Sequence, residues 1–234
     1  MIYVASDLHG YPLEEFQALL QGAGFSQDDY LFILGDVIDR GPEGVKYLQW
    51  LLDQTNVQLI LGNHEAMMLA CSFLFDPVTA ETLDELTIEK FKLVETWFRN
   101  GGKITLNAMR ELLHDDPEQV EAILDYLRDA PLYDSATVNG HNYLLVHSGL
   151  GNFHKDKPIE DYAPYDLIWT RPTLDTVYDI DNTTVIFGHT PICIFGQEHE
   201  GKLLHGQGWI CIDAGVSFGM NPVILRLDDM QSFS

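Results

Sequence analysis

One stretch decides the fold of this chain: Tyr30-Leu31-Phe32-Ile33-Leu34-Gly35-Asp36, in which an apolar run ends abruptly in Gly-Asp. Runs of this length that are rich in isoleucine, leucine and aromatic residues are typical of buried β-strands. Similar apolar runs occupy residues 2–5, 57–61, 143–146 and 184–187, and each of them also ends beside polar residues. These segments therefore predict strands whose carboxyl ends carry the functional side chains.

Helical patterns separate the first three of these runs. Pro12 precedes apolar residues at helical spacing in 13–20, and Pro42 precedes a second such pattern in 45–52. Proline at a first helical position is a common start signal, because its missing N–H has no helical partner there anyway. Alternation of strands and helices predicts a layered α/β fold with functional residues at the carboxyl ends of the strands.

The alternation is interrupted at about residues 66–130, where only helical signals occur. We interpret this segment as a helical insert between two halves of the strand pattern. Strand signals resume after Asp134, and the short glycine-punctuated segments in 202–227 predict a mainly antiparallel second sheet. No linker marks an independent second domain, so we expect one domain over residues 1–234.

Composition narrows the classes of partner. The chain has 234 residues, of which 36 are acidic and 13 basic, and its formal charge is −23. Binding to nucleic acid or to anionic membranes needs a basic surface, so neither is expected. No apolar run approaches the ~20 residues of a membrane span, and the first residues lack a basic leader. Together with cysteines that look like reduced core residues, at positions 71, 193 and 211, these features predict a soluble cytoplasmic protein.

The polar residues beyond the apolar runs form a set with metal-binding chemistry. The set contains carboxylate, imidazole and amide groups but no thiolate, and its members are Asp7, His9, Asp36, Asn63, His147 and His189. Such a mixture suits Mn²⁺, Fe²⁺ or Zn²⁺ and is too rich in nitrogen for a Ca²⁺ or Mg²⁺ site. Six ligands are too many for one catalytic ion, but they fit two ions about 3.5–4 Å apart that share a carboxylate.

Five short motifs carry these residues in a fixed order: Asp7-Leu8-His9-Gly10, Gly35-Asp36-Val37-Ile38-Asp39-Arg40-Gly41, Gly62-Asn63-His64-Glu65, Val146-His147-Ser148-Gly149 and Gly188-His189-Thr190. Their order resembles that of the calcineurin-like metallophosphoesterases, and in particular the phosphoprotein phosphatase branch in its bacterial and phage types. The resemblance implies a central mixed β-sandwich flanked by helices in four layers, here with the helical insert added.

The resemblance also implies which residues hold each metal. The residues matching the first site are Asp7, His9 and Asp36, and those matching the second are Asp36, Asn63, His147 and His189. Asp36 would therefore bridge two divalent ions. Mn²⁺ is the expected metal, with iron and zinc as alternatives.

Catalytic roles are implied in the same way. His64 matches the proton donor to the leaving group, and Asp39 matches the carboxylate that holds it. A histidine whose tautomer is fixed by a carboxylate is also a sensible general acid on chemical grounds. Arg40 and Arg171 match phosphate clamps, and Asn63 adds a further substrate contact; a planar guanidinium can bind phosphate oxygens in pairs.

Several other residues are given structural interpretations. We interpret Glu65 as support for the first turn of a helix, where the helix dipole favours a carboxylate. The remaining histidines lack the strand-end context and are not expected to bind metal; they are His114, His141, His154, His199 and His205. The aromatic residues of the insert are expected to form its core; they are Phe73, Phe75, Phe91, Trp97 and Phe98.

The function predicted from these residues is a dinuclear-metal-dependent phosphohydrolase. A metal-bridging hydroxide would attack phosphorus in line, and a phosphomonoester in a protein, or a small phosphoester, would be the substrate. The enzymatic alternative is a hydrolase of dinucleoside polyphosphates such as diadenosine tetraphosphate. In that branch the position matching Asp39 is often not acidic, which favours the serine/threonine protein phosphatase. A non-catalytic phosphate-binding module is a further alternative, but no ligand or proton donor is missing.

Overall fold

The computed structural model describes residues 1–196 and 202–234, apart from the side chain of Glu81. Its strands are β1 (Ile2–Ala5), β2 (Tyr30–Ile33), β3 (Val57–Leu59), β4 (Tyr133–Val138), β5 (His141–Val146), β6 (Thr183–Phe187), β7 (Leu204–Gly206), β8 (Trp209–Cys211), β9 (Ile224–Arg226) and β10 (Gln231–Phe233). Its helices are α1 (Leu13–Gly22), α2 (Gly44–Leu52), α3 (Asn63–Ala70), α4 (Ala80–Asp84), α5 (Ile88–Arg99), α6 (Lys103–Asp115), α7 (Pro117–Asp129) and α8 (Pro164–Ile168).

The strands form two mixed sheets. The first has the order β10-β9-β1-β2-β3, and within it β1, β2 and β3 are parallel. The second has the order β4-β5-β6-β8-β7, and within it β5, β6 and β8 are parallel. The second sheet therefore has a parallel centre and two antiparallel edges, whereas the first sheet has one antiparallel edge, formed by β9 and β10, and one parallel edge, formed by β3. In both sheets the carboxyl ends of the parallel strands point the same way.

Side chains of the first sheet alternate between two buried faces. In β1, Tyr3 and Ala5 pack against the helices, whereas Val4 packs against the second sheet. In β2, Leu31 packs on the helical side and Phe32 on the sheet side. Burial of both faces explains why these strands are uninterrupted apolar runs instead of alternating apolar and polar residues.

Three packed cores result from this arrangement. The first lies between the first sheet and the helices, and the second lies between the two sheets. The third covers the outer face of the second sheet, where Phe187 and Trp209 pack with Leu167 and Ile168 of α8. The order helices, sheet, sheet, outer segments is the predicted four-layer β-sandwich, which the structure confirms, with the helical insert between β3 and β4.

The carboxyl-terminal strands differ from the prediction of a mainly antiparallel second sheet. β8 pairs in parallel with β6, and β9 and β10 belong to the first sheet, where β9 pairs antiparallel with β1. The physical reason is two-sided burial: Ile224 fills the helical core, and Leu225 fills the core between the sheets. Such a strand fits beside β1, which is buried in the same way.

The insert buries fewer of its aromatic residues than predicted. Trp97 is fully buried, but Phe91 is 62 % and Phe98 is 38 % exposed, because α5 packs closely only along the face that meets α3. In the described part of the chain, no helix combines the length and apolar character needed to cross a membrane.

We propose that the insert and the sandwich unfold together as one domain. Leu127 of α7 is fully buried in the core that α7 shares with α2 and the first sheet. Leu127→Ala should lower the free energy of unfolding by ~2–5 kcal/mol because it leaves a cavity, and it should lower the temperature of a single transition. Calorimetry of the purified chain measures both.

The matched control is Leu93→Ala, whose leucine is 42 % exposed on α5. We expect its stability to lie within about 0.5 kcal/mol of the wild type. Two separate transitions, with only one of them shifted by Leu127→Ala, would show that the insert folds independently.

Candidate metal centre

The carboxyl ends of five strands bring the predicted ligands into one buried cluster. All six are at most 6 % exposed: Asp7, His9, Asp36, Asn63, His147 and His189. They follow β1, β2, β3, β5 and β6, so both sheets contribute. The structure therefore brings together residues that are up to 182 positions apart in the sequence, as Asp7 and His189 are.

Asp36 lies at the centre of the cluster. Its Oδ1 lies 3.5 Å from Nε2 of His147, and its Oδ2 lies 3.8 Å from Nε2 of His9. Two groups of ligand atoms, each within 4.8 Å of one another, share this carboxylate: His9, Asp36 and His64 form one, and Asp36, His147 and His189 form the other. Asp7 Oδ1 adjoins the first group, 3.9 Å from His9 Nε2. A carboxylate with one oxygen in each group has the geometry of a bridging ligand.

The backbone of the cluster is strained. Four of its residues lie in the left-handed region, with φ values of 53° at Asp7, 42° at His9, 57° at Asp36 and 63° at His189, and the neighbouring Asp39 and Arg40 share this conformation, with φ values of 66° and 67°. Residues other than glycine seldom adopt this conformation, and it persists only where surrounding contacts enforce it. The enforcing contacts include Asp7 N–H to the Gly35 carbonyl at 3.1 Å and His9 N–H to the Asp36 carbonyl at 2.9 Å.

Two glycines of the motifs are required by close packing around the carboxylates. A Cβ on Gly188 would collide with Ser6 and the carboxylate of Asp7, and a Cβ on Gly62 would collide with the carboxylate of Asp36. Ser6 and the His189 N–H both donate to Asp7, the latter at 2.8 Å. The glycines therefore let neighbouring loops approach close enough to hold the carboxylates in place.

The imidazoles are oriented to offer lone pairs to the centre of the cluster. Nδ1 of His9 lies 3.0 Å from the Ile38 carbonyl, and Nδ1 of His147 lies 2.6 Å from the Leu34 carbonyl. Each Nδ1 therefore donates to a carbonyl, and in the neutral imidazole this arrangement leaves the lone pair on Nε2, as in most metal-bound histidines.

Polar atoms in the second group fit a metal ion. Nε2 of His147 and Oδ1 of Asn63 are two acceptors that face each other at 3.0 Å. Two ligands about 2.1 Å from one ion and at right angles to each other have about that separation. Nε2 of His189 is buried and has no hydrogen-bond partner among the described residues. A divalent cation would satisfy all three atoms.

Electrostatics of the cluster also fits bound cations. Burial raises the pKa of Asp7, and it raises the pKa of Asp36 and Asp213 well above the usual value. Burial lowers the pKa of His9 and His189. Within residues 1–196 and 202–234, no lysine or arginine forms an ion pair with these carboxylates. Buried carboxylates without such partners, beside neutral imidazoles, are stabilised by divalent metal ions.

Glu65 has a second role beyond the predicted one. It lies in the first turn of α3, as expected, but its carboxylate also accepts the N–H groups of Asp36 at 2.8 Å and Val37 at 2.9 Å. It therefore holds the loop that carries the carboxylate of Asp36. Only the tertiary structure brings residues 36–37 to Glu65, so the sequence contained no local signal for this role.

The predicted proton donor and phosphate clamps lie at the edge of the cluster. Nδ1 of His64 lies 2.6 Å from Asp39 Oδ2, and the Arg40 guanidinium donates to Nε2 of His9 at 2.9 Å and of His64 at 3.0 Å. Burial raises the pKa of Asp39 to about 7 and lowers the pKa of His64 to about 2. Arg171 donates to the His189 carbonyl at 3.1 Å.

Two contacts to Asp39, the partner of His64, were not anticipated from the sequence. Trp97 and Thr105, both from the insert, donate hydrogen bonds to Asp39. Neither ligand group contains any of four described histidines that we expected not to bind metal: His114, His141, His154 and His205. His199 lies outside the described residues, so its interpretation is unchanged.

A comparison with protein families decides the classification. Residues 1–193 match the family model described as calcineurin-like phosphoesterase. The chain belongs to this family. The family implies a dinuclear divalent metal centre, in agreement with the cluster of ligand atoms around Asp36.

Two curated relatives are 30% and 32% identical to this family member over the residues that align. A Chromobacterium violaceum protein named symmetrical bis(5'-nucleosyl)-tetraphosphatase is 30% identical over 152 residues, which cover 64% of this chain and 43% of that protein. A Pseudomonas fluorescens protein of the same name is 32% identical over 195 residues, which cover 81% of this chain and 56% of that protein. The chain therefore spans about half the length of these relatives.

Solved structures show the same fold. One that is provisionally named a diadenosine tetraphosphatase has a TM-score of 0.60 at 19% identity, over 99% of this chain and 90% of that chain. A metallophosphoesterase from Sphaerobacter thermophilus has a TM-score of 0.51 at 16% identity, over 99% of this chain and 86% of that chain. These similarities confirm the predicted metallophosphatase fold.

Asp36→Asn should weaken metal binding, because it removes a charge and a ligand from the carboxylate that both groups share. We expect the affinity for Mn²⁺, measured by calorimetric titration of the metal-free chain, to fall at least about tenfold. Asp53→Asn, at an exposed position after α2, is the matched control and should bind as the wild type does. Equal affinities for both variants would contradict a shared carboxylate.

Proposed function

We propose that the chain is a metal-dependent phosphoester hydrolase that acts on dinucleoside polyphosphates. One observation carries the hydrolase assignment: Asp36 lies in two ligand groups, and the guanidinium of Arg40 adjoins them. Two cation sites beside a planar guanidinium match the needs of phosphoryl transfer, in which charge on the phosphate oxygens must be stabilised.

We further propose the distribution of ligands. Asp7, His9 and Asp36 would hold one ion, and the other would be held by Asp36, Asn63, His147 and His189. The two ions supply Lewis acidity and lower the pKa of water. Mn²⁺ is our proposed metal, because the site mixes carboxylate, amide and imidazole donors without a thiolate.

The remaining residues of the site have distinct roles in this proposal. Hydrolysis adds a water oxygen to phosphorus and breaks the bond to the leaving oxygen, which gains a proton. His64 is the proposed donor of that proton. Burial depresses its pKa, and the negative charge of a bound phosphate acts in the opposite direction. Arg40, Arg171 and Asn63 are proposed to bind the phosphate oxygens.

The choice of substrate differs from the one that the sequence favoured. The preference for a protein phosphatase depended on the acidity of Asp39, but the curated relatives bear the name of the alternative, symmetrical bis(5'-nucleosyl)-tetraphosphatase. We infer that Asp39 does not discriminate between these two classes of substrate. Its carboxylate contacts His64 at 2.6 Å and is fully buried, so it serves proton transfer to any leaving group and does not itself contact substrate.

A cleft beside the metal centre supports a nucleotide substrate. It has a volume of about 340 Å³, and its lining includes Arg40, Arg171, His189, Ile194 and Phe218. Phe218 is 64 % and Ile194 is 61 % exposed. Apolar side chains of this kind beside guanidinium groups can stack a base while the arginines hold the phosphates.

Charge in the cleft supports the same substrate. The chain carries a formal charge of −23, which repels a polyanion at long range. In the part of the chain that the structure describes, neither Arg40 nor Arg171 is neutralised by an ion pair with a carboxylate. The cleft therefore offers two cationic groups to a polyphosphate, in addition to the metal ions.

Comparing two substrates tests this proposal. The Mn²⁺-loaded chain should hydrolyse diadenosine tetraphosphate with a higher kcat/KM than a phosphoserine peptide. Symmetrical cleavage should give adenosine diphosphate as the only nucleotide product, measured by ion-exchange chromatography. Chelation and Asp36→Asn should abolish both reactions. Faster turnover of the peptide would instead support a serine/threonine protein phosphatase. If neither substrate were turned over, the remaining function would be a non-catalytic phosphate-binding module.

Phe218→Ala should reduce selectivity for the dinucleotide. Loss of base stacking costs about 1–3 kcal/mol, so kcat/KM for diadenosine tetraphosphate should fall about tenfold more than kcat/KM for glycerol 2-phosphate, which has no base. Phe218→Tyr should keep the preference. Phe91→Ala removes a phenylalanine of similar exposure from α5 and serves as the control. An equal fall for both substrates in Phe218→Ala would exclude a base-stacking role.

A further inference from the structure

The helical insert contacts His64 and Asp39, the proposed catalytic pair, through the carboxylate of Asp39. Asp39 is fully buried, and its oxygens accept hydrogen bonds from Trp97 Nε1 at 2.9 Å and from Thr105 Oγ1 at 2.6 Å, besides the contact with His64 at 2.6 Å. Trp97 belongs to α5 and Thr105 to α6. Two helices of the insert therefore supply donors to the carboxylate that orients His64.

The same segment holds the strained backbone of Asp39 and Arg40. Asp39 N–H donates to Thr105 Oγ1 at 3.0 Å, and Arg40 N–H donates to the Gly101 carbonyl at 3.4 Å. Both Asp39 and Arg40 have positive φ, at 66° and 67°. The Thr105 hydroxyl thus accepts from the backbone of Asp39 and donates to its side chain, which fixes both parts of one residue.

A glycine pair makes this contact sterically feasible. A Cβ on Gly102 would collide with the indole of Trp97, and Gly101 has a φ of 98° and faces the side chain of Arg40. Without these two glycines the turn between α5 and α6 could not approach the strained loop so closely. The turn at residues 101–102, the Trp97 indole and the Thr105 hydroxyl therefore together fix the position of Asp39.

We propose that Trp97 and Thr105 are positioning residues, through which the insert holds Asp39 so that His64 presents Nε2 to the leaving oxygen. This inference rests on the proposed function, because it concerns proton donation in that reaction. Neither residue faces the cleft. Each acts through Asp39, whose carboxylate would rotate if one of its donors were removed. A shift of about 1 Å in a catalytic group is enough to cost a large factor in rate.

The test compares leaving groups of different basicity. The leaving oxygen of p-nitrophenyl phosphate needs little help from an acid, whereas that of phenyl phosphate depends on proton donation. Thr105→Val and Trp97→Phe should each lower kcat about tenfold more for phenyl phosphate than for p-nitrophenyl phosphate, with KM and Mn²⁺ affinity unchanged. Thr105→Ser keeps the hydroxyl and should restore kcat for phenyl phosphate.

A double-mutant cycle separates positioning from a general structural effect. In a His64→Gln background, Thr105→Val should have no further effect on phenyl phosphate, because the group it positions is absent. An equal loss with and without His64, or an equal loss for both phosphates, would overturn the proposal. Thr96→Val on α5 and Trp50→Phe on α2 are the matched controls, and thermal unfolding identifies any variant that fails to fold.

A spectroscopic readout keeps the inference testable if the chain hydrolyses neither the two aryl phosphates nor diadenosine tetraphosphate, a result that would reject the proposed function. The Nδ1 proton of His64 in its 2.6 Å contact with Asp39 should give a low-field resonance in ¹H–¹⁵N spectra of the metal-free chain. Thr105→Val should shift or broaden this resonance, and Thr105→Ser should not. An unchanged resonance in Thr105→Val would overturn the positioning role.

Discussion

The site depends on three buried carboxylates that form no ion pair with a lysine or arginine in the part of the chain that the structure describes. Asp7, Asp36 and Asp213 are at most 2 % exposed, and an isolated charge in such surroundings costs several kcal/mol or more. Backbone N–H groups of the loops offset part of this cost by donating hydrogen bonds to the carboxylates. The His64 N–H, for example, donates to Asp36 at 3.0 Å. The imidazoles add lone pairs instead of positive charge, so the balance of charge must come from bound cations.

Backbone strain follows from the same constraint. The predicted ligands lie one to four residues beyond the ends of their strands, and over that short distance the chain must turn toward a common centre. Left-handed conformations at Asp7, Asp36 and His189 achieve that turn. Their cost is offset by hydrogen bonds between loops and by glycines that allow close approach, such as Gly188. The rigid two-sheet core provides the frame against which this strain is held.

The insert contacts the candidate site as well as adding to the fold. Its helices share a hydrophobic core with α2 and the first sheet, and Trp97 and Thr105 contact the buried carboxylate behind His64. A fully buried Asp39 needs donors from every side. The strand-end loops alone supply only some of them. The helices complete the set, which links the packing of the insert to the orientation of the proton donor.

Much of the fold and most of the site were predictable from local pattern. Uninterrupted apolar runs identified strands buried on both faces, and their polar ends identified the residues that cluster at the rim. Sheet membership of β9 was not predictable, because the burial of Ile224 and Leu225 on opposite faces is compatible with either sheet until the partner strand is known. The exposure of Phe91 was missed for a similar reason, since helical periodicity does not say which faces find a partner.

By itself, the sequence determined the family, the layered architecture and the six clustered ligands, because these depend on residue types at short, regular spacing along the chain. Only the tertiary structure decided that Asp36 lies between two groups, that Glu65 holds its loop and that the insert supports Asp39. These contacts join residues that are at least 27 positions apart. A buried charge needs hydrogen-bond donors close to it in space. Those donors can come from any part of the chain, so the spacing of residues along the sequence does not predict them.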